Sequence, residues 1–225
     1  MYKVINNDCL KELKKMGGES VDVVITSPPY NEQHDKYLVK ETYDDYFEWL
    51  TEILDECIRV SKTYTLVNIQ SNNRNKQDVY KLIGHYSQLI HDILIWHKPN
   101  GQPSSTHNKI SNTYEFVIII KKYKNQGVDV QSKFFRNVIL ANVNVNEFSE
   151  IHGAVMNKNV CNILVREFSK ENDVVLDPFS GMATTGVCCI EMNRNYIGFE
   201  IDKTYYNESI KRLNETQDKK ESRLF

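Results

Sequence analysis

Val174-Val175-Leu176-Asp177-Pro178-Phe179-Ser180-Gly181-Met182-Ala183-Thr184-Thr185 decides the fold class. Its first three residues are aliphatic and read as a buried strand, the Asp-Pro-Phe-Ser-Gly run as a tight turn, and the paired threonines as a helix start. A strand that turns through glycine straight into a helix is either a plain structural turn or a nucleotide-binding corner of an α/β sheet. Gly181 lets the backbone approach a ligand, and Thr184 or Thr185 caps the helix. About twenty residues on, Tyr196-Ile197-Gly198-Phe199 reads as the next strand and ends in Glu200, placed like a carboxylate that binds ribose hydroxyls. Asp177 in the turn would repel a pyrophosphate and attract an ammonium group, which favours S-adenosylmethionine over a nicotinamide cofactor.

Outward from this corner, short apolar runs alternate with amphipathic stretches. Strands are predicted at Lys3-Ile5, Val21-Thr26, Tyr64-Ile69, Ile90-Trp96, Phe116-Lys121, Val174-Leu176 and Tyr196-Phe199. Helices are predicted at about Leu10-Met16, Tyr43-Val60, Lys76-Tyr86, Lys158-Phe168, Thr184-Asn193 and Lys203-Leu213. The pattern is that of a single Rossmann-like α/β domain, 1-225, with a mostly parallel seven-stranded sheet. Asn31-Lys40 reads as a mobile loop over the end of a strand. Tyr123-Glu150, aperiodic and rich in Asn, Val and Lys, reads as an insertion outside the layered sheet.

The 225 residues suffice for one sizeable core, and 40% hydrophobic with 26% charged residues is ordinary for a globular protein. No apolar run approaches the roughly 20 residues that span a bilayer, and a signal-peptide stretch is missing, so a cytoplasmic protein without membrane contact is expected. Five cysteines without CxxC spacing signal neither a disulfide framework nor a zinc site, and no metal is expected. The net charge of -2 does not advertise a nucleic-acid binder, but bases exceed acids by five between Lys98 and Arg136. That excess is either a solvated face or a nucleic-acid patch. His34, His85, His91 and His107 read as surface or loop histidines.

Val21-Asp22-Val23-Val24-Ile25-Thr26 runs directly into Ser27-Pro28-Pro29-Tyr30-Asn31. Two prolines cannot extend a helix or donate to a ladder, so the chain leaves the strand stiff and extended. Such a turn is either a plain strand exit or a rigid platform for chemistry. An exocyclic amine of a base is a poor nucleophile because its lone pair is delocalised into the ring. The Ser27 hydroxyl and Pro28 carbonyl offer adjacent acceptors for its two hydrogens, and Tyr30 offers a face for a flipped base. Cytosine-C5 chemistry is disfavoured because it needs a thiolate, and no Pro-Cys dipeptide occurs.

Together these stretches resemble the beta class of DNA amino-methyltransferases of restriction-modification systems, in which the catalytic tetrapeptide precedes the cofactor motif, a circularly permuted order. Thr26-Ser27-Pro28-Pro29-Tyr30 matches the tetrapeptide, and Asp177-Pro178-Phe179-Ser180-Gly181-Met182-Ala183-Thr184-Thr185 resembles Asp-Pro-Phe-x-Gly-x-Gly-Thr-Thr. Asn7-Asp8-Cys9-Leu10 looks like the family's Gly-Asp-x-Leu, which implies Asp8 and Cys9 near the adenine of the cofactor. Trp96-His97-Lys98 and Tyr114-Glu115-Phe116 resemble segments beside the base pocket. His152-Gly153-Ala154-Val155-Met156 is similar to the stretch preceding the cofactor strand.

The resemblance implies S-adenosyl-L-methionine as cofactor, held by Asp8, Cys9, Thr26, Asp177, Phe179, Gly181, Thr184, Thr185 and Glu200. It implies Ser27, Pro28, Pro29 and Tyr30 as the catalytic turn, and Asn31, Trp96 and Lys98 as base contacts, although Trp96 equally suits a core position. DNA is the implied partner, with a companion restriction endonuclease in such systems and a monomeric or homodimeric chain. Residues 123-150 fall at the family's small target-recognition region. Ala183 departs from the usual glycine, and Gly153 and Asn157 from two prolines, which loosens the wall around the methionine end. Serine in the first tetrapeptide position resembles the cytosine-N4 enzymes, whereas Asn31 is more typical of adenine-N6 enzymes; cytosine N4 is favoured. RNA methylation, protein-glutamine methylation and a non-catalytic supporting subunit are the alternatives.

Overall fold

The computed structural model describes residues 1-32, 42-101, 111-143 and 155-222. In chain order the elements are β1 (Tyr2–Asn6), α1 (Cys9–Lys15), β2 (Val23–Thr26), α2 (Tyr46–Val60), β3 (Tyr64–Ile69), α3 (Lys76–His85), β4 (Ile90–His97) and β5 (Tyr114–Lys121). They continue with β6 (Val138–Leu140), α4 (Lys158–Phe168), β7 (Val174–Asp177), α5 (Thr184–Glu191), β8 (Asn195–Glu200) and α6 (Lys203–Glu221).

Among the described residues the strands form one sheet in the order β1-β8-β7-β2-β3-β5-β4-β6, with β5 alone running antiparallel to its neighbours. Every residue of β2 and β3 is buried, as the near-continuous apolar runs of a sheet covered on both faces require. Alternation sorts their side chains. Val23 and Ile25 face a core shared with α4, α5 and α6, while Val24 faces one built with α1 and α2. Helix α2 presents Leu50, Ile53, Leu54, Cys57 and Val60 along one stripe, the 3.6-residue period of an amphipathic helix.

The chain order of the strands reverses direction at the β7-β2 boundary, with β8 and β1 on one side and β3 to β6 on the other. In open α/β sheets the ligand crevice lies at such a reversal, beyond the carboxyl ends of the strands. The ends of β2, β3, β4, β7 and β8 and the start of β5 all lie along that edge.

Two expectations change. Among the described residues the sheet has eight strands rather than seven, because Val138–Leu140 pairs in parallel with β4, Trp96 opposite Ile139. That short strand carries too little periodicity to be seen in an Asn- and Val-rich stretch. The first half of the supposed insertion also belongs to the body of the protein: Val128, Val130 and Phe135 pack on the main core. The Tyr64 phenol donates to the Gly127 carbonyl and accepts from the Asp129 N–H, and Ser132 is held by Glu167. Tyr64 opens β3 and Glu167 closes α4, so this half lies at the end of the sheet opposite the crevice. Residues 127-132 are thereby tied to the body of the protein. Residues 144-150 fall outside the described residues, as do most of the Asn31-Lys40 loop, His34, His107, Lys109, His152, Gly153 and Ala154. His85 and His91 are exposed.

Candidate active site

Asp177 ends β7 as a buried carboxylate gripped from three directions. Oδ1 accepts from the Thr26 hydroxyl at 2.9 Å and the Phe179 N–H at 3.1 Å, and Oδ2 from the Thr185 hydroxyl at 2.7 Å. Burial outweighs these bonds and pushes its carboxyl up to about 6. Glu200, ending β8, accepts from the Gly181 N–H at 2.7 Å and the Asp202 N–H at 2.8 Å, and burial raises it to about 7. The groups seen bonded to the two acids are hydroxyls and backbone N–H groups.

The turn between them needs backbone that L-residues rarely adopt. Gly181 has φ 48°, and Ala183, the N-cap of α5, has φ 53° and ψ 41°. A side chain at Gly198 would lie 2.5 Å from the Tyr196 hydroxyl and 2.7 Å from Ser180 Oγ, two groups already bonded to each other at 2.8 Å. Phe179 is half-buried beside Trp49, ring centroids 5.7 Å apart, and Trp49 stacks on Tyr43 at 3.8 Å.

Thr26 is also the last residue of β2, and Ser27-Pro28-Pro29-Tyr30 follows it, so the tetrapeptide and the glycine corner share one crevice despite 151 residues of separation. Most of the turn is fixed. The Pro29 carbonyl accepts from the Tyr46 phenol at 2.5 Å and the Tyr30 carbonyl from Asn72 Nδ2 at 2.8 Å, while no described residue donates to the Pro28 carbonyl. Ser27 Oγ lies 3.0 Å from Tyr30 Oη, which lies 2.9 Å from Glu115 Oε2. Burial and the adjacent Glu115 push the Tyr30 phenol well above its ordinary 10.

A family model described as DNA methylase, for N6 and N4 enzymes, matches residues 21–211. The chain belongs to this family of DNA amino-methyltransferases. The methylase is 25% identical over 244 residues to type II methyltransferase M.HinfI of Haemophilus influenzae, covering 94% of this chain and 68% of the relative. It is 26% identical over 243 residues to DNA adenine methyltransferase YhdJ of Escherichia coli (strain K12), covering 93% and 82%. Among solved structures, the cytosine-N4-specific PvuII DNA methyltransferase shares its fold with a TM-score of 0.76 at 17% identity, covering 96% of this chain and 91% of that one. The M1.HpyAVI–SAM complex does so with a TM-score of 0.71 at 24% identity, covering 95% and 100%.

The structure gathers most of the predicted residues of the methylase around the crevice but changes the standing of several. Asp8 caps α1, accepting from the Lys11 N–H at 2.9 Å; Cys9 beside it is buried, and burial, Asp8 and Glu200 help push its thiol up to about 12. Thr184 is held by Arg212 of α6 at 3.0 Å. Asn157, in place of a proline, does not loosen a wall: it caps α4 through the Asn159 and Val160 N–H groups and ties to the Asn142 carbonyl.

The three predicted base contacts all make bonds within the protein. Trp96 is 5% exposed within the core, its indole donating to the Ala141 carbonyl at 2.8 Å, so it offers no face to a base. Asn31, at φ 55°, accepts from the Tyr43 N–H at 2.7 Å and joins the two chain ends flanking residues 33-41. Lys98 is buried, its ammonium 2.5 Å from Glu115 Oε1 and 4.8 Å above the Trp96 ring centre. The sequence places Glu115 beside the base pocket without a role and passes over Asn68, Tyr46 and Trp49, whose spacing from the motifs carries no signal.

Proposed function

We propose that this methylase binds S-adenosylmethionine at the β7-β8 corner and serves transfer of its methyl group to the exocyclic amine of a base swung out of duplex DNA, cytosine N4 being the favoured target. The observation that carries this reading is the Thr26–Asp177 hydrogen bond, which joins the tetrapeptide strand to the glycine corner. The donor set suits the cofactor: two buried carboxylates raised toward neutrality, bonded to hydroxyls and backbone N–H groups, favour a ligand that brings its own positive charge and ribose hydroxyls. When bound, the cofactor supplies an electrophilic methyl on a sulfonium centre.

The protein's part is to make the amine reactive. Ser27 Oγ and the open Pro28 carbonyl accept its two hydrogens, drawing the nitrogen toward a tetrahedral shape that frees its lone pair. Extruding the base costs a few kcal/mol, and stacking on the Tyr30 ring returns about 1–3 kcal/mol. The Tyr30 ring is rigid for this purpose because its hydroxyl and carbonyl are both bonded. Cytosine is favoured by the serine acceptor; Asn31, the feature that resembles adenine enzymes, is bonded through its Oδ1 to the Tyr43 N–H. A companion restriction endonuclease belongs to the same proposal, since relatives such as M.HinfI are type II methyltransferases.

The test is transfer of tritiated methyl from S-adenosylmethionine to unmodified duplex DNA, single-stranded DNA and RNA, followed by nucleoside chromatography. N4-methylcytosine from duplex DNA is the expected product; N6-methyladenine alone would overturn the base assignment, and labelling of RNA alone the substrate. Ser27→Ala should lower transfer about 10²-fold or more while cofactor binding persists, and full activity in that variant would remove its role.

A further inference from the structure

Glu115 is a buried carboxylate with a full set of partners and no part in the chemistry above. Oε1 pairs with Lys98 Nζ at 2.5 Å; Oε2 accepts from Asn68 Nδ2 at 2.8 Å and from Tyr30 Oη at 2.9 Å. Lys98 also reaches Gln70 Oε1 at 3.3 Å, and the pair is about 90% shielded from solvent on both sides. A buried ion pair is a poor source of stability, since an apolar pair of the same shape often serves as well or better. Its value must be sought in what it orders.

A carboxylate only accepts hydrogen bonds. The Tyr30 phenol, which burial keeps protonated, therefore gives its single proton to Glu115. With that proton committed, Tyr30 Oη can only accept from Ser27, 3.0 Å away, and the one Ser27 proton points inward along the chain. Both lone pairs of Ser27 Oγ then remain for the target amine. We infer that the Lys98–Glu115 pair fixes the proton order Ser27→Tyr30→Glu115 and so makes Ser27 an obligate acceptor, giving a neutral hydroxyl the one-way behaviour of a carboxylate. Without it the Ser27 proton is free to turn outward and face the N–H it should receive. Glu115 touches neither amine nor cofactor; it is a positioning residue acting through Tyr30 and Ser27, and the inference rests on the role of Ser27 proposed above.

Glu115→Gln tests this, because an amide can donate as well as accept and no longer enforces the order. We expect kcat to fall about 10- to 100-fold with the KM for S-adenosylmethionine unchanged. Introduced into Ser27→Ala, the same change should cost less than twofold, because the group it acts through is gone. Glu115→Gln with Lys98→Met removes both charges and keeps the measurement open if the lone lysine unfolds the chain; Tyr30→Phe breaks the relay between them and must show the same dependence on Ser27. Steady-state tritium transfer to unmodified DNA gives kcat and KM for all of these, single-turnover transfer isolates the methyl-transfer step, and a thermal melt checks folding. Equal losses in the presence and absence of Ser27 would show a merely structural role and overturn the inference, as would a wild-type kcat in Glu115→Gln while Ser27→Ala is impaired. Full activity in Ser27→Ala would instead overturn the Ser27 reading, and this inference with it.

Discussion

Ala183 occupies left-handed backbone, φ 53° and ψ 41°, at the N-cap of α5, a conformation that costs an L-residue about 1–2 kcal/mol. It stands where the resembling family carries glycine, so the turn keeps its shape at the expense of strain. Ala183→Gly should relieve more than the unfolded chain gains in freedom, raising stability by about 0.5–1 kcal/mol in urea denaturation. An unchanged or lower midpoint would show that the methyl group contributes packing in its buried place. The two acids flanking the turn make a second prediction. Both carboxyls are raised above their ordinary 3.8 and 4.5, to about 6 and about 7. Between about pH 4 and 7 the folded, ligand-free protein thus holds protons that the unfolded chain has released, and stability falls as pH rises through that window. A cationic ligand prefers the ionised acids, so affinity for S-adenosylmethionine should rise over the upper part of the same window, and Glu200→Gln should remove its last portion. Calorimetric titration between pH 5.5 and 8 reads this directly; a flat profile would show that neither acid titrates against the ligand.

Among elements, β6 shows how a short edge strand supports a distant site. Ile139 is 4% exposed and lies opposite Trp96, while the chain just beyond it accepts the Trp96 indole proton. Trp96 in turn lies under the Lys98 ammonium. Ile139→Ala should destabilise by about 2–4 kcal/mol, measurable in urea, and a loss below 1 kcal/mol would mean that β6 is dispensable. Excising residues 124-143 would strip β6 and the core contacts of Val128, Val130 and Phe135, so loss of folded protein is its expected consequence. Element ends were legible where caps or apolar stripes mark them: α4 has the bounds read from its pattern. Helix α6 runs on to Glu221 through a charged stretch without apolar periodicity, held near its end by Lys220 on the Ile190 carbonyl and Asn193, contacts that no local pattern announces.

For the whole molecule, the crevice joins two chain regions that are remote in sequence, and the cofactor would brace both. A ligand at 100 times its dissociation constant adds about 2.7 kcal/mol to stability, so saturating S-adenosylmethionine should raise the melting temperature by about 5–10 °C. Thr26→Val cuts the link between the two regions and should shrink that shift; an undiminished shift would separate cofactor binding from the tetrapeptide strand. By itself the sequence determined the layered α/β class, nearly every element, the two motifs and their order, because burial of one residue at a time leaves a period in the chain and glycine and proline leave fixed offsets. Only the tertiary structure decided that Trp96 sits in the core, that Asn31 bonds to the Tyr43 N–H, that Val138–Leu140 joins the sheet, and that Glu115 faces Tyr30 from 85 residues away. A hydrogen bond between such residues depends on how strands order in the sheet and which way protons point, and neither quantity has a spacing in the sequence.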